Sequence, residues 1–141
     1  MRINTDFLIV TYIVGLFIDW VFQFDWQATN KSKWGNNDNK SLSFMALLSH
    51  SVIYGSLTSI IVQYIVGLTP RQYSVTTLVL VLSHMIIDTR IPVKWIMKYV
   101  KQMKQEQIDD ILNYGFMHIG IDHRLHELVI LILSIVIIHI K

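Results

Sequence analysis

The chain has 141 residues, of which 52% are hydrophobic and 16% charged, with a formal net charge of +2 and a mean hydropathy of +0.45. It is too apolar for an ordinary soluble domain and has enough apolar length for several membrane spans. The basic residues are few and dispersed, which excludes a nucleic-acid surface, and the absence of cysteine excludes disulfides and thiolate metal sites.

The first apolar segment runs from about Asp6 to Phe24. It carries Asp6 and Asp19 and lacks a basic start followed by a small-residue cleavage site, so it is expected to remain as a helix and not to be removed as a signal peptide. The connection from Asp25 to Lys40 is rich in Asn, Lys and Trp; its lysines could meet a phosphate but are read first as topology determinants. A second segment follows from about Ser41 to Leu68, a third from about Tyr73 to Val93, and a fourth from about Tyr114 to Ile140. Each offers the roughly 20 residues that cross a bilayer as a helix, whereas a strand barrel would need the alternating polarity that Leu128 to Leu133 lacks. Between the third and fourth, Val93, Ile96, Met97, Val100, Met103, Ile108 and Ile111 recur at helical spacing opposite Lys94, Lys98, Lys101 and Lys104. This predicts an amphipathic helix over about 93–112, lying on the inner leaflet or docked on the bundle. Gly115 and Gly120 suit a close approach or bend as the chain re-enters the membrane. The expected fold class is therefore all-α, an integral membrane bundle of four transmembrane helices plus an interfacial helix, forming one domain.

Four spans place the two longer connections on one side, with Lys31, Lys33, Lys40, Lys94, Lys98, Lys101 and Lys104, and Arg90 near its border. The other side holds Arg2, Arg71 and Lys141. Positive charge is retained in the cytoplasm, so both termini are expected outside, in a cell membrane such as the bacterial inner membrane.

Against this apolar background, Asp19, His50, His84, Asp88, Asp122 and His126 lie inside the spans. Ionisable groups there are costly and usually functional. With the topology above, all six fall roughly 7 to 18 Å from the cytoplasmic interface at about 1.5 Å per helical residue. His84 and Asp88 are four apart, as are Asp122 and His126, His118 and Asp122, Asp19 and Gln23, and His50 and Tyr54. Residues so spaced share a helix face and can hold one ion between them. Taken singly, each fits interhelical hydrogen bonding, His50 between Ser49 and Ser51 especially. Two His/Asp pairs at one depth point instead to metal. Imidazole and carboxylate together suit Zn²⁺, Mn²⁺ or Fe, with Zn²⁺ and Mn²⁺ foremost.

The expected ligands are His50, His84, Asp88, Asp122 and His126, with Asp19 as a further ligand or general base, Asp19 and Asp122 as the catalytic carboxylates, and Gln23, Asp25, Tyr54, His118 and His123 in supporting positions. The donor set exceeds what one tetrahedral ion requires, so two metals, or one metal with outer carboxylates, are both open. An open coordination position activates water for hydrolysis, here of a lipid or a lipid-linked phosphate or ester reached from the inner leaflet. A proton or metal-ion pathway is the rival reading, and a non-enzymatic adaptor with a structural metal the third. Oligomeric state is left open.

The blocks Asp19-Trp20-Val21-Phe22-Gln23, Asp25-Trp26-Gln27-Ala28 with Lys31, Leu47-Leu48-Ser49-His50 with Tyr54, His84-Met85-Ile86-Ile87-Asp88 and Asp122-His123-Arg124-Leu125-His126 are short motifs of a resemblance that covers nearly the whole chain. They resemble a family of small bacterial and phage membrane proteins of unassigned function, which is similar in its His/Asp pattern to predicted membrane-bound metal-dependent hydrolases. The resemblance implies a hydrolase. The chain departs from that pattern at Gly15, where a histidine is expected, and at His123, where a glutamine is usual.

Overall fold

The computed structural model describes residues 3–31, 40–114 and 116–140, which are helical nearly throughout, with no strand among them. Lys33, Gly115, Arg2 and Lys141, invoked above for topology and chain re-entry, lie outside the described residues. The helices are α1 (Thr5–Val21), α2 (Asp25–Lys31), α3 (Lys40–Val66), α4 (Pro70–Asp88), α5 (Ile91–Trp95), α6 (Gln105–Tyr114) and α7 (Met117–Val136). The four long apolar segments correspond to α1, α3, α4 and α7.

Local chemistry explains the boundaries. Asn4 caps α1 by accepting from the Phe7 amide at 3.0 Å. Gly67, at φ +73, follows α3 where the left-handed conformation stops a helix without a Cβ penalty. Thr69 and Gln72 then form a reciprocal capping box, with Pro70 opening α4. The Gln72 side chain also donates to the carbonyls of Ile137 and Ile140, satisfying the turn that ends α7.

α3 packs against α1, α2 and α4, and α7 closes the bundle against α1 and α4. The distribution of polarity is inverted relative to a water-soluble bundle. Thr11, Ser51, Thr58, Ser59, Thr76, His50, His84, Asp88 and Ser134 are buried, while Ile13, Phe17 and Trp20 on α1, Leu78, Leu82 and Ile86 on α4, and Leu128 and Ile132 on α7 are exposed. By length and apolarity, α3 is the one helix that qualifies alone as a membrane span among the described residues. α1 with α2, joined through a 99° bend, and α4 with the helix that follows it, joined through 55°, each qualify as a broken span, giving up to three. α7 is apolar for most of its 20 residues but carries Asp122, Arg124 and Glu127.

The region expected as one interfacial helix over 93–112 differs from that reading. α5 continues as a π-helical turn over Ile96–Val100, breaks near Gln102 at φ +53, and resumes as α6. Folding back lets Val93, Met97 and Ile108 bury one another, with Ile121 and Leu125 of α7 packed alongside. The apolar stripe is thus used twice over a short reach, which a straight helix cannot do.

Close approach of α3 and α4 centres on Gly55. A Cβ there would lie 2.5 Å from Val81 Cγ2 and 2.8 Å from the Val81 amide nitrogen, so small residues set the spacing of these helices. Gly55→Ala forces backbone apart and should cost about 1–3 kcal/mol. Gly120, whose added Cβ meets nothing within 4 Å, is the control. Gly120→Ala should be neutral or stabilising by up to ~1 kcal/mol through helix propensity. Thermal unfolding of both variants in one detergent checks the contrast.

Candidate metal centre

The polar stripes of four helices meet. Asp19 comes from the last turn of α1, His50 from the middle of α3, His84 and Asp88 from the end of α4, and Asp122 and His126 from the first half of α7. Because α1 and α4 run opposite to α3 and α7, these positions fall at one level of the bundle.

The distances are those of a coordination shell. His50 Nε2 lies 3.0 Å from Asp19 Oδ1 and 3.0 Å from His84 Nε2. His84 Nε2 is 3.6 Å from Asp19 Oδ1 and 3.4 Å from Asp88 Oδ2, and His50 Nε2 is 3.5 Å from Asp88 Oδ2. These distances make two triangles, His50–His84–Asp19 and His50–His84–Asp88, that share the His50–His84 edge. Ligand atoms held about 2.0–2.2 Å from a tetrahedral ion stand roughly 3.3–3.5 Å apart. A second triad, His84, Asp88 and His126, shares His84 with the first, Asp19, His50 and His84; within each, the ligand atoms lie within 4.8 Å of one another.

His126 Nε2 is buried without a hydrogen bond, 3.8 Å from Asp88 Oδ1 and 3.7 Å from Asp122 Oδ2. Those separations are too long for hydrogen bonds and suit atoms that face a common cation. A neutral imidazole presents one lone pair and one N–H, so the 3.0 Å contacts of His50 with Asp19 and His84 are hydrogen bonds when Nε2 carries the proton, and the same nitrogens present lone pairs to a cation when it does not.

Ring stacking orients the imidazoles. Tyr54 stacks on His84 at 3.9 Å between centroids, and His126 stacks on its ring at 4.4 Å. The outer nitrogens, Nδ1 of His50 and of His84, are buried without a partner among the described residues. The carbonyl or carboxylate that usually orients a ligating histidine is therefore replaced here by aromatic packing. Tyr54 also accounts for Gly15: its hydroxyl lies 2.8 Å from where a Cβ at position 15 would stand. The space that a histidine side chain would need is taken by the phenol of α3. A water-sized cavity of about 20 Å³ lies beside it, among Gly15, Asp19, Tyr54 and His126.

One cation is built in. Lys31, at the end of α2, donates to Asp88 Oδ2 at 2.7 Å, with both side chains largely buried. In the sequence Lys31 reads as a topology determinant or a phosphate contact, not as a partner of Asp88. It reaches the centre because the chain turns sharply after α1 and because Gln27 pins α2. The fully buried Gln27 accepts from the Phe24 amide at 3.0 Å and donates to Ser49 Oγ at 2.9 Å, one residue from His50.

A cleft of about 410 Å³ opens over the centre, lined by Asp19, Asp88, Asp122, Lys31, Arg90 and His118 among others. Gln23 and His123 also border it. His118 Nδ1 is held by the Ile111 carbonyl at 3.0 Å, a bond that ties α6 to the start of α7. Asp25 stands exposed in the first turn of α2 and joins none of the described ion pairs. Glu127 accepts from Tyr12 Oη at 3.1 Å and pairs with Arg124, linking α1 to α7 outside the centre. His139 lies exposed at the opposite end of the bundle.

Arg90, which sequence reasoning placed only near a border, follows α4 with φ 61 and ψ 3, a left-handed conformation costing on the order of 1–3 kcal/mol for a residue with a Cβ. No signal in the pattern of apolar residues marks Arg90 or Gln27, since both act through tertiary contacts.

A further polar layer lies beyond the centre. Asp19 and Thr11, His50 and Thr58, His84 and Thr76, and His126 and Ser134 are each eight residues apart, all displaced toward the same end of the bundle. The four hydroxyl residues are fully buried, roughly 12 Å from the centre at about 1.5 Å per residue. The three threonine hydroxyls have no partner among the described residues.

No family model matches the chain, and neither a curated relative nor a solved structure matches it with significance.

Gln27→Leu removes both hydrogen bonds while preserving volume. It should lower stability by about 1–3 kcal/mol and raise hydrogen exchange selectively across residues 25–31, measured by mass spectrometry.

Proposed function

We propose that this chain is a membrane-embedded, metal-dependent hydrolase whose centre holds one or two divalent ions, Zn²⁺ or Mn²⁺ foremost. The observation that carries the reading is the convergence of Asp19, His50, His84 and Asp88 at 3.0–3.6 Å, from three helices, with His126 unpartnered beside them. A helix bundle that needed only polar glue would use each imidazole to bridge one donor to one acceptor. Here the ligand-type atoms face one another.

The bilayer setting is supported by the inverted polarity of the bundle, whose outer faces are apolar and whose hydroxyls and imidazoles are inside. In this reading α1, α3, α4 and α7 span the membrane, both termini are outside, and the centre lies in the cytoplasmic half, within reach of a lipid or lipid-linked phosphate or ester. The resemblance to predicted membrane-bound hydrolases agrees with it by analogy.

A bound divalent ion supplies Lewis acidity and draws water toward ionisation. The chain's own groups divide the remaining work. Asp19, His50, His84 and Asp88 would hold the ion, and His126 would serve as a further donor or hold a second ion. Asp122, which borders the cleft beside His126, would take the proton that water gives up on attacking the substrate and return it to the leaving oxygen. Tyr54 keeps the His84 ring in its plane, and Lys31 balances Asp88.

Purified protein should carry stoichiometric Zn, Mn or Fe by inductively coupled plasma mass spectrometry, and His84→Ala should lose it. Unchanged metal content in both His84→Ala and His126→Ala would refute the centre. Asp122→Asn should retain metal while losing turnover by about 10²–10⁴-fold.

A second reading, a proton or ion pathway, is favoured by one observation: the buried, unpartnered hydroxyls of Thr11, Thr58 and Thr76 continue the polar column toward the opposite end. It expects flux of protons or metal isotope into proteoliposomes that falls severalfold in the double variant Thr58→Val, Thr76→Val while hydrolysis is unaffected. Absence of flux in the unmodified protein removes it.

A further inference from the structure

We propose that the cleft over the centre is a phosphoryl-binding site in which Arg90 and Lys31 hold the anionic oxygens of the substrate. This rests on the proposed metal centre and narrows its substrate from esters in general to phosphate esters.

The charge arrangement is the first support. Asp19, Asp88 and Asp122 border the cleft against Lys31 and Arg90, so the bare cleft is negative by one formal charge. One divalent ion reverses that sign, leaving a cleft that favours an anion only once metal is in place. A neutral carboxylic ester has no use for two additional cations beside the ion, whereas a phosphoryl group presents several charged oxygens to a metal and its flanking cations.

The state of Arg90 is the second. Its side chain is half-buried at the cleft, yet its guanidinium makes no hydrogen bond or ion pair among the described residues. A planar fork of N–H donors at such a place matches the bidentate geometry of phosphate. The backbone there is held left-handed by local bonds: the Thr89 hydroxyl accepts from the Ile91 amide at 3.2 Å, and the Arg90 carbonyl accepts from Lys94 at 2.9 Å. An arginine kept in a strained conformation at the junction of α4 and α5, two residues from Asp88, fits a positioned ligand-binding group.

Lys31 is the third. Its ammonium has three donors, one of them spent on Asp88 Oδ2. With one donor on Asp88, the other two are left for substrate oxygens beside the centre. Exposed Trp20 and Ile119 border the cleft and provide apolar contact beside the phosphoryl position.

The test uses the full chain in phosphatidylcholine nanodiscs loaded with Mn²⁺, with metal content measured on the same samples. Inorganic phosphate is titrated and its phosphorus-31 resonance followed, because bound Mn²⁺ broadens the signal of nearby phosphorus. The unmodified protein should broaden the signal saturably; Arg90→Gln should weaken binding tenfold or more at unchanged Mn content, and Arg90→Lys should fall between. Saturable binding that Arg90→Gln leaves intact overturns the proposal, as does full Mn loading with no phosphate binding, which leaves the metal centre standing. A protein that loads no Mn²⁺, Zn²⁺ or Fe overturns the metal centre and this site together. Adding phosphatidic acid to the nanodiscs identifies the source: competition with inorganic phosphate marks a lipid headgroup, and phosphate binding indifferent to it marks a soluble phosphate.

Discussion

The structure turns on the cost of burying carboxylates and imidazoles in an apolar bundle. An uncompensated charge in such surroundings costs several kcal/mol or more, far above what a single packing contact returns. The chain meets this constraint by bringing the groups to one point, where they compensate one another and share a cation. Lys31 supplies one positive charge at 2.7 Å from Asp88. A divalent metal would be the larger compensation, because a single ion would neutralise two carboxylates and satisfy the imidazole lone pairs at once.

Much of the architecture serves that convergence. The 99° bend after α1 returns the chain so that α2 lies against α3 and Lys31 reaches Asp88. Gln27 holds α2 in that place, and Gly55 lets α3 and α4 approach closely enough for His50 and His84 to meet. Tyr54 connects three of these tasks: it stacks on His84, fills the room above Gly15 and walls a small cavity beside Asp19 and His126. The histidine expected at position 15 by resemblance is absent, and the phenol occupies its place. Asp19, His50, His84, Asp88 and His126 remain as groups that could hold an ion without it.

The i,i+4 pairs His84/Asp88 and Asp122/His126 were legible because helical periodicity alone places them on one face, and the apolar runs around them were legible as long helices. The contact of Lys31 with Asp88 is not legible in the sequence because it arises from a bend, and bends between apolar helices leave little trace in composition. Arg90 and Gln27 were passed over because each works through partners far away in the chain. The segment over 93–112 was read as one helix since its apolar spacing is continuous; the break at Gln102 follows from the chance to bury Val93 and Met97 against Ile108, a gain that no local window contains.

Sequence by itself determined the class of structure and the identity of the polar donors, because hydropathy and helical period are local properties and an ionisable group in an apolar run announces its own cost. Only tertiary structure decided that the four stripes meet at coordination distances, that Lys31 stands on Asp88, and that Arg90 borders the same cleft. Those outcomes depend on helix order, bends and close approaches at Gly15 and Gly55, where sub-ångström packing between distant residues, rather than the preference of any one residue, sets which atoms touch.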